Sequence, residues 1–218
     1  MAPETESPRR VEAPEAPTVK RVAVFGGSFN PPHVAHVLAA VYALSVAPVD
    51  EVLVVPVFRH PFAKELAPFD DRLAMCELAM GWIPGVRVSA VERDLGGESL
   101  TLRTLVHLAA ENPSWCMRLL VGSDVVPDLP KWHRFDEVAK LASPLVLPRA
   151  GATEDEVLLP DVSSTQVRAR LGRAFGVAAT GGDPAEDEIL ARLLPSRVLA
   201  YALSRGLYRE RAPSSESP

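Results

Sequence analysis

The sequence predicts an α/β fold: a doubly wound parallel sheet with helices on both faces, in a single domain that closes with C-terminal helices. Three observations predict it. Short, continuous apolar runs alternate with segments of helical periodicity along the whole chain. The apolar runs are unbroken rather than alternating, as strands buried on both faces require. The first run passes through a glycine pair directly into a helical pattern, the order of a parallel strand–helix unit. A length of 218 residues suits one domain, and 47% apolar with 23% charged residues supplies a buried core.

Residues 1–19 are rich in Pro, Glu and Ala without apolar periodicity and read as a disordered tail. The domain spans 20–209, and 210–218 reads as a second disordered tail. The first strand is Val22–Phe25, followed by a helix over His33–Val46. The strand Val52–Val57 and the helix Asp70–Gly81 come next, then the strand Val86–Val91 and the helix Ser99–Glu111. The fourth strand, Met117–Val121, runs through a loop to the helix Phe135–Leu141. The fifth strand is Leu145–Leu147. Ser163 and Gln166 stand at capping-box spacing, so a helix begins there and covers Ser164–Phe175. Gly172–Pro184 reads as a long glycine-containing connection, either a mobile lid or a surface insertion. Helices Glu186–Leu194 and Ser196–Arg205 close the domain, with Gly206 suited to a C-terminal cap.

A net charge of −5 argues against a general nucleic-acid surface, although it leaves room for a local basic pocket. No apolar run is long enough to span a membrane, and the first residues lack a signal-peptide core. The two cysteines, Cys76 and Cys116, fall in a predicted helix and a predicted strand and form no disulfide framework. A reducing, cytoplasmic compartment follows. Neither nucleic acid nor membrane is expected as a partner, and the letters leave a homo-oligomer open.

The most informative stretch is Gly26-Gly27-Ser28-Phe29-Asn30-Pro31-Pro32-His33-Val34-Ala35-His36. A strand, a glycine turn and a helix start form an anion site, because backbone N–H groups and the positive dipole end point at the turn. The two glycines let a phosphate approach the backbone, and the prolines fix the entry to the helix. His33 and His36, three apart, project from one face of the first helical turn. Taken singly, the glycine pair is commonplace and the histidines could be structural. A metal pair would need an acidic residue between them or a nearby Cys or Asp, and none is present, so no protein-held metal is expected.

In such sheets ligands bind at the carboxyl ends of the strands, where the strand order reverses. The loop after the fourth strand, Gly122-Ser123-Asp124, suits that crevice: Gly122 permits close approach and Asp124 can accept from ribose hydroxyls. As a lone residue Asp124 reads equally well as a turn or cap. The segment Ser163-Ser164-Thr165-Gln166-Val167-Arg168 opens a helix whose N–H groups, hydroxyls and arginine can hold phosphate. Alone it reads as a helix cap. Beside the first loop it reads as the second jaw of a triphosphate clamp.

These segments resemble the nucleotidyltransferases whose first loop reads Gly-x-Phe-x-Pro-x-His-x-x-His and whose late motif reads Ser-Ser-Thr-x-x-Arg. The wording Gly-Gly-Ser-Phe-Asn-Pro-Pro-His is most similar to the bacterial nicotinate-nucleotide adenylyltransferase branch. So are Leu129-Pro130-Lys131-Trp132-His133-Arg134-Phe135, Pro195–Tyr201 and Gly206-Leu207-Tyr208. The resemblance covers about Arg21 to Tyr208. It implies a Rossmann-like fold and transfer of AMP from ATP to nicotinate mononucleotide, giving deamido-NAD and pyrophosphate. It implies that His33, His36 and Arg168 act in catalysis, with His36 on the α-phosphate. Gly26, Gly27, Ser28, Phe29, Gly122, Asp124, Ser163, Ser164 and Thr165 would join them in binding ATP. Trp132, Thr101 and Lys64 would hold the mononucleotide, Trp132 by stacking on the pyridine ring. Mg²⁺ would be carried on the ATP phosphates.

Two departures stand out. The family carries an aromatic and an acidic residue where this chain has Leu100 and Arg103, beside the expected mononucleotide pocket. The loop Arg59-His60-Pro61-Phe62-Ala63-Lys64 also differs from the usual form. The exchange at Leu100 and Arg103 reads either as an exposed change without consequence or as the mark of a related transferase with a different phosphorylated acceptor. A non-catalytic nucleotide-binding regulator on the same scaffold is a separate alternative, against which the intact His33, His36 and Arg168 argue.

Overall fold

A computed structural model describes residues 19–60, 65–148, 159–178 and 184–209, without the side chains of 175–178 and 184–187. Residues 1–18 of the first tail, the whole second tail, Lys64 and residues 179–183 of the long connection lie outside the described residues.

Five parallel strands form one sheet in the order β3-β2-β1-β4-β5. They are β1 (Lys20–Gly27), β2 (Glu51–Pro56), β3 (Val86–Val88), β4 (Trp115–Gly122) and β5 (Ala142–Leu147). The order runs outward from β1 to β3, then returns to the other side of β1 for β4, so the switch point lies between β1 and β4.

Alternate strand residues feed two separate cores, the physical meaning of a doubly wound sheet. Ala23, Val52, Val54 and Leu120 face one core. There they meet α1 (Val34–Val46), α2 (Phe69–Met80), α6 (Ser164–Ala178), α7 (Pro184–Leu193) and α8 (Ser196–Ser204). Val22, Val24, Leu53, Val55, Leu119 and Val121 face the other core. That face is covered by α3 (Val91–Leu95), α4 (Thr101–Glu111) and α5 (Phe135–Leu141). Four alanines of α1, at 35, 39, 40 and 43, bring that helix close to the sheet.

The fold class and the five strands follow the sequence reading, and several bounds need correction. The third strand ends at Val88, and Val91–Leu95 is a short helix. Ala90 has left the extended region, and the charged run Glu92-Arg93-Asp94 does not suit a buried strand. The fourth helix begins at Thr101 rather than Ser99, because Ser99 Oγ is engaged with the Phe58 and Arg59 N–H groups. Ser123–Lys131 is a 3₁₀ helix, not a plain loop; Pro127 and Pro130 bar an α ladder there. The fifth strand starts at Ala142, since Pro144 is tolerated on an edge strand although Ser-Pro reads as a turn. Helix α6 runs on through Ala178, so Gly172–Ala178 is helix and not connection.

Candidate active site

The first motif is built differently from a glycine turn. Gly26 and Gly27 are the last residues of β1, paired with Val55 and Pro56 of β2. Neither has a positive φ. What the fold needs at Gly27 is the absence of a side chain. A Cβ on Gly27 would come within 3.2 Å of the Phe29 ring, whereas one on Gly26 would meet nothing within 4 Å. Gly26 therefore leaves open space on the floor of the cleft.

The turn itself is Ser28–Pro32, with a cis peptide bond at Asn30–Pro31 and Phe29 in the left-handed region (φ 44°). A non-glycine residue persists there only where its surroundings over-determine it. Phe29 is buried, with its ring edge-on to His36 at 4.9 Å and to Phe25 at 5.3 Å. Its side chain thus supports the histidine. His33 is the N-cap of α1, and the His33 and His36 rings stack with centroids 3.7 Å apart, on one face as the spacing predicts. His36 Nδ1 accepts the His33 backbone N–H at 3.1 Å. In the neutral ring the hydrogen is then on Nε2, which makes His36 a donor at that atom.

The late motif closes on this loop. Ser163 and Gln166 form the reciprocal capping box: the Gln166 N–H donates to Ser163 Oγ (3.3 Å), and the Ser163 N–H donates to Gln166 Oε1 (3.2 Å). Ser164 Oγ donates to the Pro31 carbonyl at 2.9 Å, and Arg168 Nη1 donates to the Asn30 carbonyl at 2.8 Å. Arg168 Nη2 also reaches Thr165 Oγ1 at 3.2 Å. Segments 133 and 138 positions apart in sequence are thereby joined. Ser28, Phe29, His33, His36, Ser163, Ser164, Thr165 and Arg168 together line a hollow of about 250 Å³.

That hollow adjoins a cleft of about 660 Å³ at the carboxyl ends of β1 and β4, with His33 and His36 on the walls of both. Gly26, Gly27, Ser28, Gly122 and Asp124 line the cleft near the switch point. Thr101, Trp132, His60, Glu92 and Leu100 also line it. Of the anticipated site residues inside the described set, all line one or both spaces.

Arg103 does not. Its guanidinium turns to the Leu95 and Gly96 carbonyls at the end of α3, outside the cleft lining. The exchange of an acidic residue for Arg103 therefore makes a helix-end contact, favourable for a cation at a C-terminus. Leu100, by contrast, is part of the cleft wall.

Sequence reading gave no role to four residues that frame the site. Arg72 is almost wholly buried, donating to the Ser28 carbonyl (2.9 Å) and the Ala67 carbonyl (2.9 Å). Burial lowers its guanidinium below the ordinary value. Its signal was visible: a charge at the head of the buried stripe Arg72, Met75, Cys76, Ala79 on α2. Buried Glu92 accepts from the Phe58 N–H (3.0 Å) and the Thr104 hydroxyl (3.1 Å), tying α3, α4 and the loop after β2 together. Asn30 and Tyr208 meet at 3.0 Å, and burial pushes the Tyr208 phenol up, so it remains an O–H donor.

The model of the cytidylyltransferase-like family matches residues 24–170, from the middle of β1 into α6. The chain belongs to the cytidylyltransferase-like family. Within the family it is 45% identical over 195 residues to a protein of Anaeromyxobacter dehalogenans (strain 2CP-C), covering 87% of this chain and 97% of that one. It is 38% identical over 195 residues to a protein of Myxococcus xanthus (strain DK1622), covering 86% and 94%. Both relatives bear the name "probable nicotinate-nucleotide adenylyltransferase". The fold also matches Plasmodium falciparum nicotinic acid mononucleotide adenylyltransferase complexed with NaAD. The TM-score is 0.70 at 18% identity, over 87% of this chain and 97% of that one.

Proposed function

We propose that this cytidylyltransferase-like chain is an adenylyltransferase that joins ATP to nicotinate mononucleotide, forming deamido-NAD and pyrophosphate. One observation carries the chemistry: the His33–His36 turn and the α6 N-terminus are hydrogen-bonded into a single hollow opening on the switch-point cleft. The names of the bacterial relatives support the choice of acceptor.

The 5′-phosphate of the mononucleotide is already ionised, so the attack needs no general base. Its oxygen attacks the ATP α-phosphorus in line. The bond from that phosphorus to the bridging oxygen breaks, and the electron pair leaves on pyrophosphate. Catalysis then consists of holding two anions together and stabilising the charge of the transition state. His36 donates from Nε2 to the α-phosphate. Arg168, Ser163, Thr165 and the N-terminus of α6 hold the β- and γ-phosphates. All four on the cleft wall, Gly122 and Asp124 receive the adenosine, and Trp132 and Thr101 hold the mononucleotide, Trp132 by stacking on its pyridine ring. Among the described residues no three His, Cys, Asp or Glu side chains group as a metal site. A magnesium ion carried on the ATP phosphates would supply charge neutralisation beside His33, His36 and Arg168 without a protein carboxylate to hold it.

The test follows the label in ATP marked at the α-phosphorus, incubated with Mg²⁺ and nicotinate mononucleotide. The label is expected in a dinucleotide, with unlabelled pyrophosphate released. Labelled ADP, or labelled AMP without dinucleotide, would overturn the reading.

A further inference from the structure

We propose that the Tyr208 hydroxyl is a positioning group for ATP, latching the histidine-bearing loop to the C-terminal turn; this rests on the transferase reading of the cleft. The latch works through Asn30, which is 2% exposed. The Asn30 Oδ1 accepts both the Tyr208 O–H (3.0 Å) and the Ala67 N–H (3.0 Å). The carbonyl of the same residue accepts Arg168 Nη1. One residue of the first loop thus meets the C-terminal turn on its side chain and the second jaw on its backbone. Tyr208 lies 178 positions from Asn30 and lines neither the cleft nor the hollow, so it acts on ATP only through that residue.

The backbone at both ends of the bond is unusual. Tyr208 has φ 67°, and Phe29, next to Asn30, has φ 44°. Non-glycine residues hold such angles where the surrounding contacts outweigh their strain, and these cluster where geometry serves function. The turn is prepared locally: Gly206 has φ 61°, and the Leu207 N–H returns to the Ala202 carbonyl at 3.0 Å. Helix α8 is anchored independently, because buried Asp71 of α2 accepts from the Tyr201 hydroxyl (2.8 Å) and Arg205 Nε (3.0 Å). The Tyr208 bond therefore adds little to docking α8, and its effect falls on the loop. Without it Asn30 keeps one donor at Oδ1, and the Arg168 acceptor loosens with it.

The same helix supplies the control. Tyr201→Phe and Tyr208→Phe each remove one phenolic hydroxyl from the C-terminal unit, but only the second touches the loop. The full-length variants are compared for melting temperature and for affinity toward Mg·ATP by calorimetry. Loss of one hydrogen bond predicts that Tyr208→Phe weakens Mg·ATP about fivefold. Tyr201→Phe is expected to lower the melting temperature and leave that affinity unchanged. In turnover assays Tyr208→Phe raises the KM for ATP and not the KM for the acceptor. Combined with Asn30→Ala it adds no further loss of affinity, since it acts through Asn30. Unchanged ATP affinity in Tyr208→Phe, an equal loss in Tyr201→Phe, or independent losses in the double variant would overturn the latch. ATP affinity needs no acceptor, so a wild-type protein that binds Mg·ATP without transferring it would remove the transferase reading and not this one.

Discussion

His36 is held by the His33 N–H on Nδ1, the Phe29 edge and the stacked His33 ring. In the proposed mechanism, removing the imidazole takes away the donor to the α-phosphate, an effect of roughly 10²–10³ in turnover. His36→Ala is therefore expected to fold with a near-native melting temperature and lose about that much kcat. Normal turnover in the folded variant would remove His36 from the chemistry. Gly26 gives a cleaner steric test. An added methyl meets no protein atom within 4 Å, so Gly26→Ala is expected to keep or slightly raise stability. The methyl would occupy ligand space instead. An overpacking cost of about 1–3 kcal/mol weakens ATP about tenfold. ATP affinity equal to wild type would mean that the nucleotide does not lie over β1. The roles of Gly26 and Gly27 were legible in the letters only in part. The pair marks the site, but their place inside a strand depends on pairing with β2, which local sequence does not carry.

At the scale of elements, α6 shows how far local signals reach. Its capping box was readable from Ser163 and Gln166 and is present at both bonds. Ser163→Ala is expected to cost about 1 kcal/mol, read as a shift in the denaturation midpoint without a change in slope. An unchanged midpoint would show that the cap contributes nothing. The docking of α6 onto the first loop was not legible as bonds, because Ser164 to Pro31 and Arg168 to Asn30 are long-range contacts. The third strand was overread for a related reason. Val86–Val91 looks apolar in one dimension, but after Val88 the chain turns so that buried Glu92 can accept from Phe58 and Thr104. A buried carboxylate with two donors is a tertiary fact, invisible to periodicity. Arg103 is similar: its letter left open an exposed change or an altered acceptor, and its guanidinium sits on the end of α3.

For the whole molecule, the alternation of strands and helices was enough to anticipate a doubly wound parallel sheet, because unbroken apolar strands can be buried only between two helical layers. The two cores also sort the cysteines. Cys76 is buried among the α2 contacts and burial pushes its thiol up, whereas Cys116 is exposed on β4. Reaction goes through the thiolate, so the native protein is expected to expose one fast thiol and a second only after denaturation. Two fast thiols in the native state would contradict the packing of α2 on the sheet. Strand order was not legible, yet it builds the cleft: β1 and β4 become neighbours at the switch point and bring Gly26, Gly122 and the His33–His36 turn to one cleft. The claim that this cleft joins ATP to nicotinate mononucleotide is tested most directly by pyrophosphate release with Mg·ATP, comparing nicotinate mononucleotide, nicotinamide mononucleotide and phosphopantetheine. Selective turnover of nicotinate mononucleotide is the predicted result. No turnover of it by a protein that binds ATP, or preference for either other acceptor, would contradict the account.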